Sequence, residues 1–546
     1  MSTGIPTVFA LFADAAARHP QGAFMCILPE TAAAYGITAG EISYNAALAA
    51  TLKLSDAYAE AGYGSGQRVG LLLENRPAFF RHWFALNRIG VSVVPINPDL
   101  RAAELEYVIK HSEMIAAVVV PERRADLENA ARANGRSLAL HGADDEPQPL
   151  AVRGTVAELT SDTECALLYT SGTTGRPKGC VLANEYFLAA GEWYATIGGM
   201  ITLEDKRERM ITPLPVFHMN AMAYSAMAML RTAGCLITVD RFHPKSWWHQ
   251  VRESRATILH YLGVMPAILM TAPAGATDRN HSVRFGFGAG VERSLHATFE
   301  DRFGFPLIEA WAMTETGAGA VVVANHEPRR RGTNSFGRAG NDIELRLVLE
   351  DGSEAPDETP GELLVRHSGP NPRYGFFREY LKDEAATASA WEGGWFHTGD
   401  IIVRATDGSL RLVDRKKNII RRSGENISAV EVESELLQHP AVRQVAVAAT
   451  PDAVRGDEVL ALIVSDDTGA ENNETARTIV EWCLSRLAYY KAPGWIAFVP
   501  SLPLTGTQKI QRGSVKDLAA DYMARGACID LRHLKKRASP AVEQGR

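Results

Sequence analysis

The chain has 546 residues, 46% of them hydrophobic and 22% charged, with a formal net charge of −7. That length suggests roughly two to four domains, and the balance is ordinary for a soluble globular protein. A net negative charge excludes a general basic field for nucleic acid or anionic lipid, so any anionic substrate must be met by locally placed cations. The six cysteines form no Cys-x-x-Cys pair, which points away from zinc and disulfides and toward reduced, cytoplasmic thiols. The opening Met-Ser-Thr-Gly-Ile-Pro lacks the basic head and long apolar core of a signal peptide. The most membrane-like window, 213–230, carries His218, Asn220 and Ser225. It reads as a buried helix behind a site, not a membrane span.

In chain order, residues 8–19 and 42–61 read as helices, 69–73 as an apolar strand, 78–89 as a helix and 91–95 as a strand. A helix over 105–112 and a strand over 115–120 follow. Strand, helix, strand at this spacing predicts parallel βαβ units with both sheet faces covered. The apolar run 165–169 reads as a buried strand leading into Thr170, Ser171, Gly172, Thr173, Thr174, Gly175, Arg176, Pro177, Lys178 and Gly179. The rhythm resumes with a helix over 186–197, strands over 237–239 and 258–261, and a helix over 247–254.

From about 341 the texture becomes alternating strands with Gly/Asp turns (343–348, 361–366, 401–404, 410–413). This predicts a small antiparallel sheet or barrel. After 415 a third texture begins. Ser428 and Glu431 form a capping box opening a helix that Pro440 stops. Strands over 444–448 and 459–464 and a helix over 475–487 complete an α+β domain of roughly 100 residues. The basic cluster 532–537 reads as a solvated end.

The Gly/Thr stretch is a polyphosphate cradle by composition. Glycines let the backbone approach an anion, Thr170, Ser171, Thr173 and Thr174 supply hydroxyl donors, and Lys178 supplies a mobile point charge. It is not the common P-loop, because Pro177 separates Arg176 from Lys178 and a glycine follows the lysine. Further along, Trp311, Thr314 and Glu315 stand near the end of an apolar run at 306–308, a position suited to a nucleotide site on an open α/β sheet. A small-residue loop spans 286–292, His218 opens an apolar helix, and His-Thr-Gly-Asp400 and Asp414-Arg415 follow in order. Lys509 lies in a Thr/Gly loop near the end of the chain.

Tyr169 to Gly179 resembles the phosphate-binding signature of the adenylate-forming superfamily, which takes in acyl-CoA synthetases, the adenylation domains of peptide synthetases and beetle luciferases. The other motifs lie in that superfamily's order. The resemblance implies that Trp311 lies against adenine, Gly288 and Ala289 border it, Thr314 bonds the α-phosphate and Glu315 holds Mg²⁺. It implies Asp400 and Arg415 on the ribose, and a hinge at Lys417. Ser423, Gly424 and Glu425 would line a thiol tunnel after the small domain rotates, and Lys509 would be the catalytic lysine. His218 corresponds to a residue flanking the substrate carboxylate. The His-Met-Asn run carries no acid to pair with an ammonium, which argues against an amino-acid substrate. Phe217, Met219, Asn220, Met222, Phe287 and Met313 are candidate lining for a mainly apolar acyl pocket. The chain departs from the superfamily's pattern in places: Ala312 and Gln508 replace usual glycines, Asn426 differs from the Arg or Gln of some branches, and the 286–292 loop lacks a proline often found near its end. The text around 414–428 looks most like carnitine/crotonobetaine-type and other acyl-CoA ligases.

The sequence therefore predicts an α/β protein with a large N-terminal domain, 1–414, containing a β-subdomain from about 341. A small mobile α+β lid over 415–525 and a tail over 526–546 complete it. The expected activity is ATP-dependent carboxylic acid–CoA ligation through an acyl-AMP, with ATP, Mg²⁺ and coenzyme A taking part. An adenylating enzyme that loads a carrier protein in trans is the alternative. A non-enzymatic nucleotide sensor and a luciferase-like oxygenase rank below both. The acid and the oligomeric state stay open, a homodimer included, and medium-chain, branched and aryl acids and a betaine all fit.

Overall fold

A computed structural model describes residues 4–170, 177–349, 351–415, 419–465, 472–503 and 512–536. The protein is mixed α/β, with a large N-terminal domain and a smaller C-terminal one. The apolar runs of the first 320 residues assemble into two sheets. One has the order Glu379–Tyr380, Lys178–Ala183, Glu164–Thr170, Ser92–Pro95, Arg68–Leu72, Ala116–Val119, Ala139–His141. Its pairings from Glu164–Thr170 to Ala139–His141 are parallel. The second sheet has Phe285–Ala289 between Ile258–Leu262 and Leu307–Trp311, both parallel to it. The strands Ser92–Pro95 and Ala116–Val119 are buried at every position, as expected for a sheet covered on both faces. Helix Pro77–Asn87 buries Phe79, Phe80, Trp83 and Phe84, each worth about 1.5–3 kcal/mol of apolar burial.

The structure adds a strand after the cradle and divides one predicted element. The flanks of the cradle form an antiparallel hairpin, with Thr170 opposite Lys178. The short loop between them is too small for a parallel crossover, which needs a dozen or more residues. The backbone of Lys178 is therefore held on a strand beside Thr170. Residues 42–61 divide into a strand, Gly40–Ser43, and a helix, Tyr44–Glu60. Ser43 accepts a hydrogen bond from the Ala46 N–H, so the cap sets the break.

A five-stranded antiparallel sheet follows, in the order Ser335–Gly337, Leu410–Arg415, Phe396–Arg404, Gly361–His367, Ile343–Val348. The C-terminal domain is built on Val442–Asp452 and Gly456–Ser465, with Trp495–Phe498 parallel to the latter. Its own apolar clusters include Val432, Val447, Ile479 and Ile496 on one face and Val464, Leu502 and Val515 on the other.

The chain beyond 525 is not a solvated end as far as the structure describes it. Ile529–Asp530 pairs with Trp495–Phe498 and Leu531 is buried. Lys535 is fully enclosed, its ammonium bonded to Glu458, which also takes the Arg422 guanidinium at 2.8 Å. The lysine's charge suggests solvent, but its carboxylate partner lies 77 positions earlier. Burial lowers the Lys535 pKa to about 7 and Glu458 favours its charged form, so Glu458→Ala strands the Arg422 guanidinium, leaves the Lys535 amine without its partner, and is expected to destabilise the C-terminal domain by about 3–5 kcal/mol. A urea titration followed by far-UV circular dichroism measures this. A shift equivalent to less than about 1 kcal/mol, the range of an exposed pair, would show that the cluster does not anchor the segment.

Candidate active site

The carboxyl ends of the sheet strands, the antiparallel sheet and the small domain enclose one continuous cleft of about 1970 Å³. At one end stand Thr170, Lys178, Thr314, Glu315 and Tyr380. Tyr380 donates its hydroxyl to Glu315 Oε1 at 3.0 Å. Burial and the neighbouring Glu315 charge push the phenol far above its ordinary range, so it remains a donor. The Lys178 ammonium sits 4.4 Å from the Tyr380 ring centroid and 4.0 Å from Asp383. Tyr186 donates to the Thr314 carbonyl at 2.9 Å, and Thr316 Oγ1 accepts the Met313 N–H at 3.0 Å. The turn carrying Thr314 and Glu315 is thus fixed from both sides. The buried Glu315 carboxylate and the Thr314 hydroxyl are oxygen donors of the kind that would hold a hard cation, and Lys178 supplies a positive charge suited to phosphate.

Next along the cleft, the Trp311 indole N–H donates to Asp400 Oδ2 at 2.9 Å, and its ring stacks on Phe336. Asp400 is 1% exposed, and its N–H donates to Thr398 Oγ1. In the antiparallel ladder Asp400 lies opposite Arg415, so the two residues assigned to one ribose are neighbours. Gly288 and Ala289 also face the cleft. A Cβ at Gly288 would stand 2.2 Å from the Tyr261 carbonyl, so only glycine fits. Beneath them the buried Glu309 carboxylate accepts the N–H groups of Gly290 and Val291 and the Tyr261 hydroxyl. Burial raises its pKa. Glu309 holds the 286–292 loop in place.

Phe217, His218, Met219, Asn220, Phe287 and Met313 line the third region, while Met222 is fully buried behind the wall. Asn220 and the residues after it form a π-helical turn, Asn220–Ala226, a geometry that recurs at functional sites. Asn220 Oδ1 lies 3.0 Å from Nδ1 of the buried His260, which is also 2.8 Å from Ser225 Oγ; Tyr194 reaches Nε2 at 3.1 Å. Burial lowers the His260 pKa to about 3, so the ring is neutral. With the Tyr194 hydroxyl donating to Nε2, Nδ1 carries the proton and faces the Ser225 hydroxyl and the Asn220 Oδ1 acceptor. This turns the amide N–H₂ of Asn220 away from His260. Phe287 packs on Tyr194, His260 and Tyr224 and closes the pocket floor.

The small domain contributes Ser423, Gly424 and Glu425. Glu425 lies 3.6 Å from His218 Nε2. Gly424 has φ +88°, and a Cβ there would stand 2.2 Å from Leu262 Cδ1, so the turn reaches the pocket wall only as glycine. Side chains more than 200 positions apart meet here. Ser171, Gly172, Thr173, Thr174, Gly175, Lys417 and Lys509 lie outside the described residues, as does the Arg415 side chain. Sequence reasoning missed Tyr380, Glu309 and His260. No local pattern marks them, since their partners are 65, 19 and 40 positions away.

Two family models match the chain: AMP-binding enzyme over residues 12–381, and AMP-binding enzyme C-terminal domain over residues 431–509. A crotonobetaine/carnitine–CoA ligase of Salmonella paratyphi C is 30% identical over 472 residues, covering 83% of this chain and 89% of the relative. Among solved structures, a malonyl-CoA ligase complex with methylmalonyl-CoA and AMP is 27% identical, with a TM-score of 0.73 over 91% of this chain and all of the other. An o-succinylbenzoate CoA synthetase from Bacillus subtilis, bound to a product analogue, reaches a TM-score of 0.78 at 22% identity, covering 94% and 98% of the two chains.

Proposed function

The chain belongs to the AMP-binding enzyme family, and from that premise we infer that it is an ATP-dependent carboxylic acid–CoA ligase. The acid attacks the ATP α-phosphorus, giving an acyl-AMP and pyrophosphate. The CoA thiol then attacks the acyl carbon and AMP leaves. The observation that carries this reading is the single cleft in which Trp311, Asp400, Thr314, Glu315 and Lys178 are joined by Gly424 and Glu425 of the small domain.

In this reading Asp400 and Arg415 hold the ribose, Trp311 flanks the base, and Thr314 bonds the α-phosphate. Lys178 and the cradle hold the outer phosphates, with the hairpin register keeping Lys178 at the rim. Glu315, steadied by Tyr380, would hold Mg²⁺, which supplies charge neutralisation between the phosphates when bound. We place the domain boundary at 414/415 and the hinge at Lys417. The His218–Glu425 approach supports the arrangement in which the 423–425 turn lines the path of the thiol. The six unpaired cysteines fit a cytoplasmic enzyme. Among the described residues no helix is long and apolar enough to cross a membrane.

The acyl pocket supports a compact acid. Phe287 and Tyr224 close its floor, and the Asn220 amide N–H₂ suits an acid bearing a hydrogen-bond acceptor. A panel of acids assayed for pyrophosphate release and then for CoA-dependent AMP release tests the reading. Compact acids with an acceptor are expected to exceed saturated chains of equal length by about tenfold, the worth of one hydrogen bond to the half-buried Asn220 amide. Pyrophosphate release without any thioester to free CoA would favour carrier loading. No pyrophosphate release with any acid would end the ligase reading.

A further inference from the structure

The small domain meets the large one at a second junction, built on Glu104 in the first turn of helix Ala102–Ser112. Glu104 is 6% exposed. Its Oε2 accepts the Arg101 N–H at 3.0 Å, capping its own helix, and also the Ala488 N–H at 2.8 Å from the small domain. Its Oε1 takes the Lys491 ammonium at 2.5 Å. Lys491 also bonds Glu431, a residue of its own domain, at 2.9 Å. Alongside, Asn97 donates to the Tyr490 hydroxyl at 2.8 Å. The two carboxylates hold the ammonium charged, and burial raises the Glu431 pKa.

The arrangement is made to be undone. When the domains part, Lys491 keeps Glu431 and Glu104 keeps its helix cap. Neither charge is left stranded, which is what makes breaking most buried ion pairs so costly. The junction therefore stabilises one domain orientation without trapping it.

We propose that Glu104 is a positioning residue for thioester formation, holding the small domain where Ser423, Gly424 and Glu425 line the cleft and releasing it for the adenylation step. The proposal rests on the ligase reading for its consequences, but the contacts it names stand without it.

The test compares the full-length enzyme with Glu104→Gln, which keeps an acceptor for the two backbone N–H groups and loses the charge. Three quantities are measured: acid-dependent ATP–pyrophosphate exchange, single-turnover conversion of isolated acyl-AMP to thioester, and hydrogen–deuterium exchange of the segment containing Ala488. Thioester formation is expected to slow about tenfold with a higher KM for CoA, the loss of one buried charge-assisted contact. Pyrophosphate exchange should stay unchanged or rise, and the Ala488 amide should exchange faster. Equal losses in both half-reactions, or an unchanged thioester step, would overturn the proposal. Should Glu104→Gln fold poorly, Tyr490→Phe removes the neighbouring bond without touching a charge and must shift the same split in the same direction. A wild-type enzyme that adenylates no acid defeats the ligase reading alone. The Ala488 exchange then still decides whether Glu104 holds the domains, and no change there removes the latch.

Discussion

Replacing Lys509 by alanine is expected to lower acid-dependent ATP–pyrophosphate exchange by about 10²-fold or more, the typical cost of one transition-state donor. Conversion of supplied acyl-AMP to thioester should survive. Attack of a carboxylate on the α-phosphorus brings two anions together. One cation about 4 Å away offsets roughly 4 kcal/mol of that repulsion at an effective dielectric near 20. Thiol attack on the acyl-AMP makes no such demand. The layout of the small domain supports this separation. Strand Gly456–Ser465 starts beside Arg422, next to the 423–425 turn that lines the cleft. It ends about 30 Å away at 3.3 Å per residue. Trp495–Phe498 runs parallel to it, and the Val499 N–H bonds the Ile463 carbonyl, so the chain leaves at the far end on its way to position 509. The 423–425 turn and the departure point of the Lys509 segment thus lie at opposite ends of one sheet. If Lys509 and the 423–425 turn both serve this cleft, as proposed, the domain must turn between the two steps. Exchange assays and single-turnover quench measurements on the same preparation check this. Equal losses in both steps would remove Lys509 as an adenylation residue.

How much of this was legible depends on how local the determinants are. The strands Ser92–Pro95 and Ala116–Val119 show in the sequence as unbroken apolar runs because both sheet faces are covered. The Asp407-Gly408 turn announces its hairpin for the same local reason. The site motifs were readable in order, and the structure brings Trp311, Glu315, Asp400 and Glu425 to one cleft. What stayed hidden is what joins distant positions. The antiparallel hairpin around the cradle follows from loop length, a constraint that a reading of glycines and hydroxyls passes over. Lys535 reads as a surface charge until Glu458 is folded against it. Glu104 lies just before the helix read at 105–112 and caps it, but its second role lies 387 positions away at Lys491. Tyr380 carries no signature of its own. Its importance comes from Glu315 and Lys178 lying on either side of it.

Asp400→Asn is expected to reduce kcat/KM for ATP by about 10²-fold, because an amide cannot replace the bonds that this carboxylate makes. The buried Asp400 accepts the Trp311 indole N–H while lying opposite Arg415 in the ladder. One carboxylate therefore ties the wall proposed for the base to the wall proposed for the ribose. An asparagine has one oxygen and one N–H₂. With the N–H₂ toward Trp311, two donors face each other and the indole loses its partner in a site that is 1% exposed. With the oxygen toward Trp311, the N–H₂ faces the ribose hydroxyls, and their acceptor is gone. Either orientation wastes a charge-assisted bond worth about 1.5–3 kcal/mol, and the loss of negative charge weakens the other. Trp311→Phe distinguishes the two contributions. It keeps a ring at the base and the full carboxylate at the ribose, so it should cost less than Asp400→Asn, about tenfold, the low end of one charge-assisted bond. Initial rates over a range of ATP concentrations, with the acid saturating, measure both variants. If Asp400→Asn stays within threefold of the wild type, less than one neutral hydrogen bond, then Asp400 positions Trp311 and does not hold the nucleotide.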